Sequence, residues 1–205
     1  MATLYYVHDP MCSWCWGFAP ALKHLLDALP EDIKVKRLLG GLAVDSDAPM
    51  PIEMQTMLQE TWHRIQTKIP DTKFNFDFWT KCQPRRSTYP SCRAVIAARQ
   101  QGELYDALMT TAIQKAYYQQ ARNPSDIDTL TELATELGLD ADKFKQDIAS
   151  KATQQTLEEE IELCRELHAE SFPSLVLQVG TSTSGVPIDY NNTASMLKLI
   201  NNLRD

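Results

Sequence analysis

Two cysteines near the start of the chain, Cys12 and Cys15, have the spacing at which thiols do redox or metal chemistry. They lie between an apolar, β-prone segment at 3–8 and a helical pattern at 13–29, so a strand passes into a helix at this pair. A helix N-terminus presents unpaired N–H groups and the positive end of the helix dipole, which stabilise a thiolate. Sulfurs at positions i and i+3 are neighbours within reach of a disulfide. We therefore predict that Cys12 is the exposed nucleophile and Cys15 its shielded partner.

Zinc binding is the alternative for this spacing, because Cys-x-x-Cys also forms half of many zinc sites. Neither a second Cys-x-x-Cys nor a His-x3–5-His follows, and Cys82, Cys92 and Cys164 are scattered through helical segments. We therefore predict no metal site. Buried free thiols are expected at those three positions, and a second redox pair of Cys82 and Cys92 is a competing hypothesis that the spacing does not support.

Composition and charge exclude several classes of function. The 205 residues are 43% hydrophobic, enough for a sizeable core, and the net charge of −7 gives no basic surface for nucleic acid. No apolar run reaches the roughly 18 residues of a membrane span, and the N-terminus lacks a signal-peptide pattern, so we expect a cytoplasmic protein. In that reducing compartment static disulfides are disfavoured, so the pair at Cys-x-x-Cys spacing, Cys12 and Cys15, is expected to serve redox or metal chemistry. The oligomeric state stays open.

Residue periodicity predicts a β-α-β unit at the start of the chain. Strands at 3–8 and 33–39 flank the helix at 13–29, and a right-handed crossover into a parallel pair is expected. From about 50 to 169 helical spacing recurs without a convincing strand, over a length too great for a plain crossover. The acidic run at 158–162 within this block is predicted to be a solvated helix face.

Strand character returns late in the chain. Residues 175–179 and 186–190 are predicted to form a hairpin with a loop of roughly five or six residues. The second strand is placed at the sheet edge because Pro187 cannot donate to a central ladder. Asn192 then caps a final helix. The order β-α-β, helical block, β-β-α predicts an α/β fold.

This order resembles a thioredoxin-like fold with a large all-helical insertion, as in the DsbA-like thiol–disulfide oxidoreductases. The segment from His8 to Trp16, with the sequence HDPMCSWCW, is similar to the active-site segment of the FrnE-related branch of that family. Pro20, five residues after Cys15, matches a kinking proline of thioredoxin relatives. Phe172-Pro173 matches in place the cis-proline turn that faces their redox pair.

The resemblance also implies a domain organisation and a reaction. We expect a discontinuous thioredoxin-like domain at 1–45 and 165–205, divided by a helical insertion domain at 46–164. The implied reaction is thiol–disulfide exchange through a mixed disulfide that Cys12 forms and Cys15 resolves. Protein thiols and disulfides, or glutathione as a co-substrate, are the expected partners. No cofactor, nucleic acid or membrane partner is expected.

A substrate surface around the cysteines is part of the same expectation. The backbone beside Pro173 is expected to bind the substrate strand edge-on. An apolar rim around the sulfurs is expected from three aromatic residues, Trp14, Trp16 and Phe172.

His8 and Asp9 are candidates for tuning the pKa of the thiols, since they directly precede the cysteine segment. For His8 we adopt the interpretation of a satisfied or solvated ring. For Asp9 a plain turn role before Pro10 is equally compatible with the sequence.

Two departures from the family pattern leave the direction of electron transfer open. Ser13-Trp14 stands where thioredoxin has Gly-Pro and periplasmic DsbA has Pro-His, and this dipeptide strongly influences the reduction potential. Phe172 is bulkier than the usual Val or Thr before the cis-proline. The serine that stands in place of Cys12 in kappa-class glutathione transferases and 2-hydroxychromene-2-carboxylate isomerases argues against a direct carry-over of their activity, but the branch also resembles those enzymes. A glutathione-dependent transferase or isomerase is therefore one alternative function, and a non-catalytic chaperone or interaction module is another.

Overall fold

The computed structural model describes residues 2–204, which form a four-stranded sheet and nine helices. Strand β1 spans Ala2–His8, helix α1 Ser13–Ala28 and strand β2 Ile33–Leu39. A helical block follows, with α2 at Ile52–Lys68, α3 at Phe78–Lys81, α4 at Tyr89–Arg99, α5 at Leu104–Tyr118, α6 at Ile127–Glu136, α7 at Ala141–Ile148 and α8 at Lys151–Glu166. The chain ends with β3 at Ser174–Val179, β4 at Ser182–Val186 and α9 at Thr193–Asn202. Over these described residues, no helix combines the length and the apolar character that crossing a membrane requires.

The sheet has the strand order β2-β1-β3-β4, with β1 and β2 parallel and the other pairs antiparallel. Its central strand β1 is buried on both faces, as its continuous apolar pattern predicts. Leu4 and Tyr6 pack in the core that includes α1 and α9, whereas Val7 packs with Cys164 of α8 on the opposite face. The predicted thioredoxin-like α/β fold with a helical insertion is confirmed.

The position of the edge strand was predicted wrongly. Strand β4 covers Ser182–Val186 rather than 186–190, and its first pair is Val179 with Ser182. Gly180, with a φ of +60°, allows a tight turn directly after β3, so no loop of five or six residues separates the strands. The Ser- and Thr-rich run that resembles a loop therefore pairs as the edge strand, and Pro187 follows it.

The helical block between β2 and β3 has its own apolar core. Helix α4 lies at its centre, is buried along nearly its whole length and contacts four other helices of the block. Glu158, Glu159 and Glu162 of α8 are exposed, as the prediction of a solvated acidic face requires. Glu160 is the exception, because it pairs with Arg99 and accepts a hydrogen bond from the Leu39 N–H at 2.8 Å. This acceptor satisfies a backbone donor at the end of β2. The exact division into domains at 45 and 165 stays a prediction.

Candidate active site

Cys12 and Cys15 lie at the junction of β1 and α1, as their spacing indicates. Cys12 is the N-cap residue of α1, and its Sγ accepts a hydrogen bond from the Cys15 backbone N–H at 3.4 Å. The turn before it is closed by the Cys12 N–H, which donates to the Asp9 carbonyl oxygen at 3.0 Å. A sulfur in this position meets the unpaired N–H groups and the positive dipole end of the helix, so negative charge on it is favoured.

The two free thiols differ in accessibility. Cys15 is completely buried, whereas Cys12 is 7% exposed. The prediction that Cys12 is exposed is wrong, because the residue is buried and its sulfur contacts the Phe172 carbonyl oxygen. Burial raises the pKa of the Cys15 thiol well above its ordinary value, and the adjoining Cys12 sulfur raises it further. At neutral pH Cys15 is therefore an uncharged thiol, and Cys12 is the more accessible sulfur of the pair.

The late Phe-Pro turn faces the cysteine pair. The Cys12 thiol donates to the Phe172 carbonyl oxygen, with 3.4 Å between Sγ and oxygen, and the Phe172–Pro173 peptide bond is cis. The ring of Phe172 packs against Gly40, where an added Cβ would come within 2.0 Å of it. The backbone of Phe172 therefore faces the Cys12 sulfur while its ring lies on the Gly40 backbone. Substrate contacts by Phe172 and Pro173 stay a prediction.

Asp9 is a fully buried carboxylate rather than a plain turn residue. Its Oδ1 accepts the Met11 N–H at 2.8 Å, and its Oδ2 accepts the Leu42 N–H at 2.8 Å and the Thr88 hydroxyl at 2.6 Å. The Cys92 thiol is a further donor at 3.5 Å. Burial raises the pKa of Asp9, and these hydrogen bonds, first among them that from Thr88, lower it in part. Asp9 thus joins the active-site loop to the segment after β2 and to the start of α4.

His8 is also fully buried, and neither of its ring nitrogens has a hydrogen-bond partner within residues 2–204. The satisfied or solvated ring expected from the sequence is therefore wrong. The ring stacks on Tyr6 with the centroids 4.7 Å apart, because residues two apart on a strand share a face. Burial lowers the pKa of His8 well below its ordinary value, and the charges of Arg37 and Arg99 lower it further. A neutral imidazole supplies no positive charge to a thiolate.

Two aromatic side chains of the helical block hold the active-site loop in place. Tyr118 of α5 donates its hydroxyl to the Met11 carbonyl oxygen at 2.7 Å, and Trp62 of α2 donates its indole N–H to the Ser13 hydroxyl at 3.0 Å. Both rings are completely buried. Trp16 stacks on Tyr118 with the centroids 5.8 Å apart, so its ring bridges α1 and the block. Helical periodicity indicates that such residues are core but not that they bond to the loop.

Trp14, between the two cysteines, is half-buried and packs against Tyr190 with the ring centroids 5.3 Å apart. Tyr190 lies in the loop between β4 and α9 and also meets the ring of Phe18 edge-on. Burial raises the pKa of Tyr190, and the nearby Cys12 and Cys15 raise it further. Tyr190 thus belongs to the surroundings of the sulfur pair. It was missed because its segment was predicted to be the edge strand.

The Cys-x-x-Cys lies at a strand-to-helix junction and faces the Phe172-Pro173 turn before β3, and a helical block is inserted between β2 and β3. This combination defines the DsbA-type class of thioredoxin folds. A family model described as thioredoxin matches residues 5–198. The chain therefore belongs to the thioredoxin family.

Solved structures of similar fold include a candidate protein disulfide isomerase from Nitrosomonas europaea. It is 25% identical with a TM-score of 0.84, and the match covers 98% of this chain and 96% of that one. The cytosolic disulfide reductase DsbM from Pseudomonas aeruginosa is 24% identical with a TM-score of 0.78, and the match covers 98% of each chain. DsbM has also been solved with GSH. The likeness to DsbM shows the fold alone.

Curated relatives include ClpXP adapter proteins named SpxH. That of Bacillus subtilis (strain 168) is 23% identical over 175 residues, which cover 84% of this chain and 56% of the relative. That of Halalkalibacterium halodurans is 24% identical over 176 residues, which cover 84% and 57%. The chain thus spans less than two thirds of the length of these relatives.

Proposed function

We propose that the protein catalyses thiol–disulfide exchange on protein thiols and disulfides, with Cys12 and Cys15 as its redox pair and glutathione as a co-substrate. One observation carries this proposal. The Cys12 sulfur is the N-cap of α1, lies 3.4 Å from the Phe172 carbonyl oxygen, and adjoins the buried Cys15. Membership of the thioredoxin family supports the same proposal.

In the reducing direction the reaction takes two displacements. The Cys12 thiolate attacks one sulfur of a substrate disulfide, so that a Cys12–substrate disulfide forms and the other substrate sulfur leaves as a thiolate. The Cys15 thiol then loses its proton and attacks the Cys12 Sγ, which releases the second substrate thiolate. The substrate gains two electrons, and the protein is left with a Cys12–Cys15 disulfide. Two molecules of glutathione return it to the dithiol and leave as glutathione disulfide.

The Phe172 carbonyl oxygen has a second role in this proposal. In the reduced protein it accepts a hydrogen bond from the Cys12 thiol. Once Cys12 is a thiolate or part of a disulfide it has no proton to donate, so the carbonyl oxygen is free to accept a backbone N–H of the substrate. An extended substrate segment would thus pair with the backbone at Phe172 and Pro173, as edge strands do. Trp14 would then supply apolar contact beside the sulfurs.

Insulin reduction coupled to glutathione and glutathione reductase tests the proposal. We expect steady turnover by the wild type and none by Cys12→Ser. Cys164→Ser is the matched control, because Cys164 is also a buried thiol but lies in α8. Turnover that survives Cys12→Ser, or is absent from the wild type, would contradict the proposal. A cytoplasmic location belongs to the same proposal, since the glutathione pool there is reducing.

A protein-interaction module is the second candidate, because the curated relatives at 22–24% identity are adapter proteins. A Cys12→Ser/Cys15→Ser double variant separates the two functions. It keeps client binding if the fold acts as an adapter and loses every activity if the sulfurs carry the function. A transferase or isomerase is separated by the products, because those reactions do not leave a Cys12–Cys15 disulfide.

A further inference from the structure

The structure places one lysine against the rings beside the redox pair. The Lys68 Nζ lies 5.6 Å from the centroid of the Trp14 ring and 5.0 Å from that of Tyr190. Trp14 is the residue directly before Cys15, and Tyr190 is one of the groups surrounding both sulfurs. A cation over aromatic faces is attracted by their quadrupoles, so the ammonium is drawn towards the sulfur pair.

A hydrogen bond to its backbone helps to place this lysine beside the loop that carries Tyr190. Lys68 is the last residue of α2, and its carbonyl oxygen accepts the Asn191 side-chain N–H at 3.4 Å. The end of α2 and the loop that carries Tyr190 are thereby joined. The thioredoxin-like sheet and the helical block thus each contribute to the surface on which the ammonium lies.

The charge of Lys68 is available to a ligand. Among residues 2–204 no carboxylate lies within 4.0 Å of its ammonium, and the residue is exposed. Hydrogen bonds from the backbone N–H groups of Asn191 and Asn192 and from the Ser195 hydroxyl lower the pKa of Asp189, and the charge of Lys68 lowers it to a smaller extent. That carboxylate already accepts hydrogen bonds from those two backbone N–H groups and from the Ser195 hydroxyl at the start of α9. In a protein of net charge −7, a cation in this position opposes the overall repulsion of an anion.

We propose that Lys68, held by the rings of Trp14 and Tyr190, is a carboxylate-recognition subsite that makes the redox pair selective for anionic thiol and disulfide substrates. This inference rests on the proposed exchange reaction and names the substrate class that the reaction prefers. The carboxylate comes either from a small carboxylate-bearing thiol such as glutathione or from an acidic residue beside the cysteine of a polypeptide. The chemistry that Lys68 recognises is the same in both.

Two matched pairs of disulfides test the subsite and separate the two sources. The small pair is dithiodiglycolate and bis(2-hydroxyethyl) disulfide, which differ in charge. The peptide pair consists of two versions of one disulfide-bonded peptide, which carry either Glu or Gln next to the cysteine. The variants are Lys68→Gln and Lys68→Glu, with Lys36→Gln as the control because Lys36 also lies over a ring, that of Tyr5, 6.0 Å from its centroid in the sheet.

We expect the wild type and Lys36→Gln to favour the anionic member of at least one pair by about three- to tenfold in kcat/KM, mostly through KM. Lys68→Gln is expected to abolish this preference and Lys68→Glu to reverse it, and the preference should shrink with rising salt. Preference confined to the small pair identifies a small thiol as the source, and preference confined to the peptide pair identifies an acidic polypeptide. Equal changes for charged and neutral members in the Lys68 variants would overturn the inference.

A binding measurement distinguishes failure of the subsite from failure of the exchange reaction. The Cys12→Ser variant is titrated by calorimetry with S-methylglutathione and with its diester, which cannot exchange. The subsite is supported if Cys12→Ser binds the diester more weakly than S-methylglutathione and Cys12→Ser/Lys68→Gln binds the two ligands equally. This result supports the subsite even if no disulfide is turned over. Equal binding of the two ligands to Cys12→Ser, together with equal binding of the S-methylated Glu and Gln forms of the test peptide, overturns the subsite and leaves the exchange reaction untouched.

Discussion

The Asp9 carboxylate accepts a hydrogen bond from the Thr88 hydroxyl at 2.6 Å, so a residue three positions before Cys12 is bonded to the residue that precedes α4. No cation is among the hydrogen-bond donors to this buried carboxylate in residues 2–204. Neutral donors alone balance the cost of its burial. The position of the cysteine loop therefore depends on the helical block as well as on β1.

Asp9→Asn is expected to destabilise the protein. The amide would present an NH2 group to donors that now meet an oxygen, which leaves buried N–H or O–H groups unpaired at a cost of about 2–4 kcal/mol in the free energy of unfolding. Urea unfolding measures the loss. Asp27→Asn, which removes an exposed i,i+4 partner of Lys23, is the control and should change stability by less than about 0.5 kcal/mol. Equal stability of Asp9→Asn and wild type would show that this hydrogen-bond set is unimportant.

Tyr118→Phe is expected to loosen the active-site loop while leaving the fold intact. It removes the hydroxyl that donates to the Met11 carbonyl oxygen and should cost about 1–2 kcal/mol of stability and lower kcat more than it raises KM. The matched control is Tyr117→Phe, because Tyr117 is buried in the same cluster without a hydrogen bond to this loop among the described residues. If the two variants behave alike in kcat, the Tyr118 hydroxyl does not position the loop.

His8→Phe is expected to be as stable as the wild type at pH 8 and more stable at pH 5. The phenyl ring keeps the stacking on Tyr6 and removes two buried nitrogens without partners. The pKa of His8 is lowered in the folded state, so below the ordinary value of 6.5 only the unfolded chain takes up this proton. Wild-type stability therefore rises with pH through that window, by up to about 1.4 kcal/mol per pH unit from this group.

Denaturant unfolding of wild type and His8→Phe at several pH values between 5 and 8 measures this difference. Subtracting the two curves removes the titration of the other groups. A difference in unfolding free energy that does not change with pH would mean that His8 is protonated equally in the folded and unfolded states.

The release step is expected to depend on the ionisation of Cys15. Burial raises the pKa of Cys15 well above its ordinary value, so its thiolate fraction at neutral pH is small and increases about tenfold per pH unit. With the aromatic disulfide DTNB, the first equivalent of thionitrobenzoate marks attack by Cys12 and the second marks resolution by Cys15. The second phase should accelerate with pH between 6 and 9 at close to tenfold per unit. A second phase that is independent of pH over this range would contradict the assignment.

The local elements could be predicted from the sequence because they depend on nearest neighbours. Strand β2 was predicted with its actual bounds, 33–39, and the junction at Cys12 follows from a strand pattern that meets a helix pattern. Strand β4 was misplaced because Ser and Thr residues around a glycine turn resemble a loop until their partner strand is known. Burial of a polar strand residue is a tertiary property, which is why the environment of His8 was predicted wrongly.

The site residues that lie far from the cysteines in the chain could not be predicted for a similar reason. Tyr118, Tyr190 and Lys68 reach the redox pair only when the helical block and the last loop close around it. Each is an ordinary helix or loop residue in its own segment. Only Phe172-Pro173 was identified at long range, and it was found through a resemblance rather than through its own pattern.

The central claim is that Cys12 attacks and Cys15 releases. Cys15→Ser and Cys12→Ser proteins are incubated with glutathione disulfide at neutral pH, and the intact mass is followed over time. We predict that Cys15→Ser accumulates one glutathione on Cys12, stable until a thiol is added, whereas Cys12→Ser stays unmodified and the wild type ends as the internal disulfide. Rapid glutathionylation of Cys15 in the Cys12→Ser protein, or no adduct in Cys15→Ser, would contradict it.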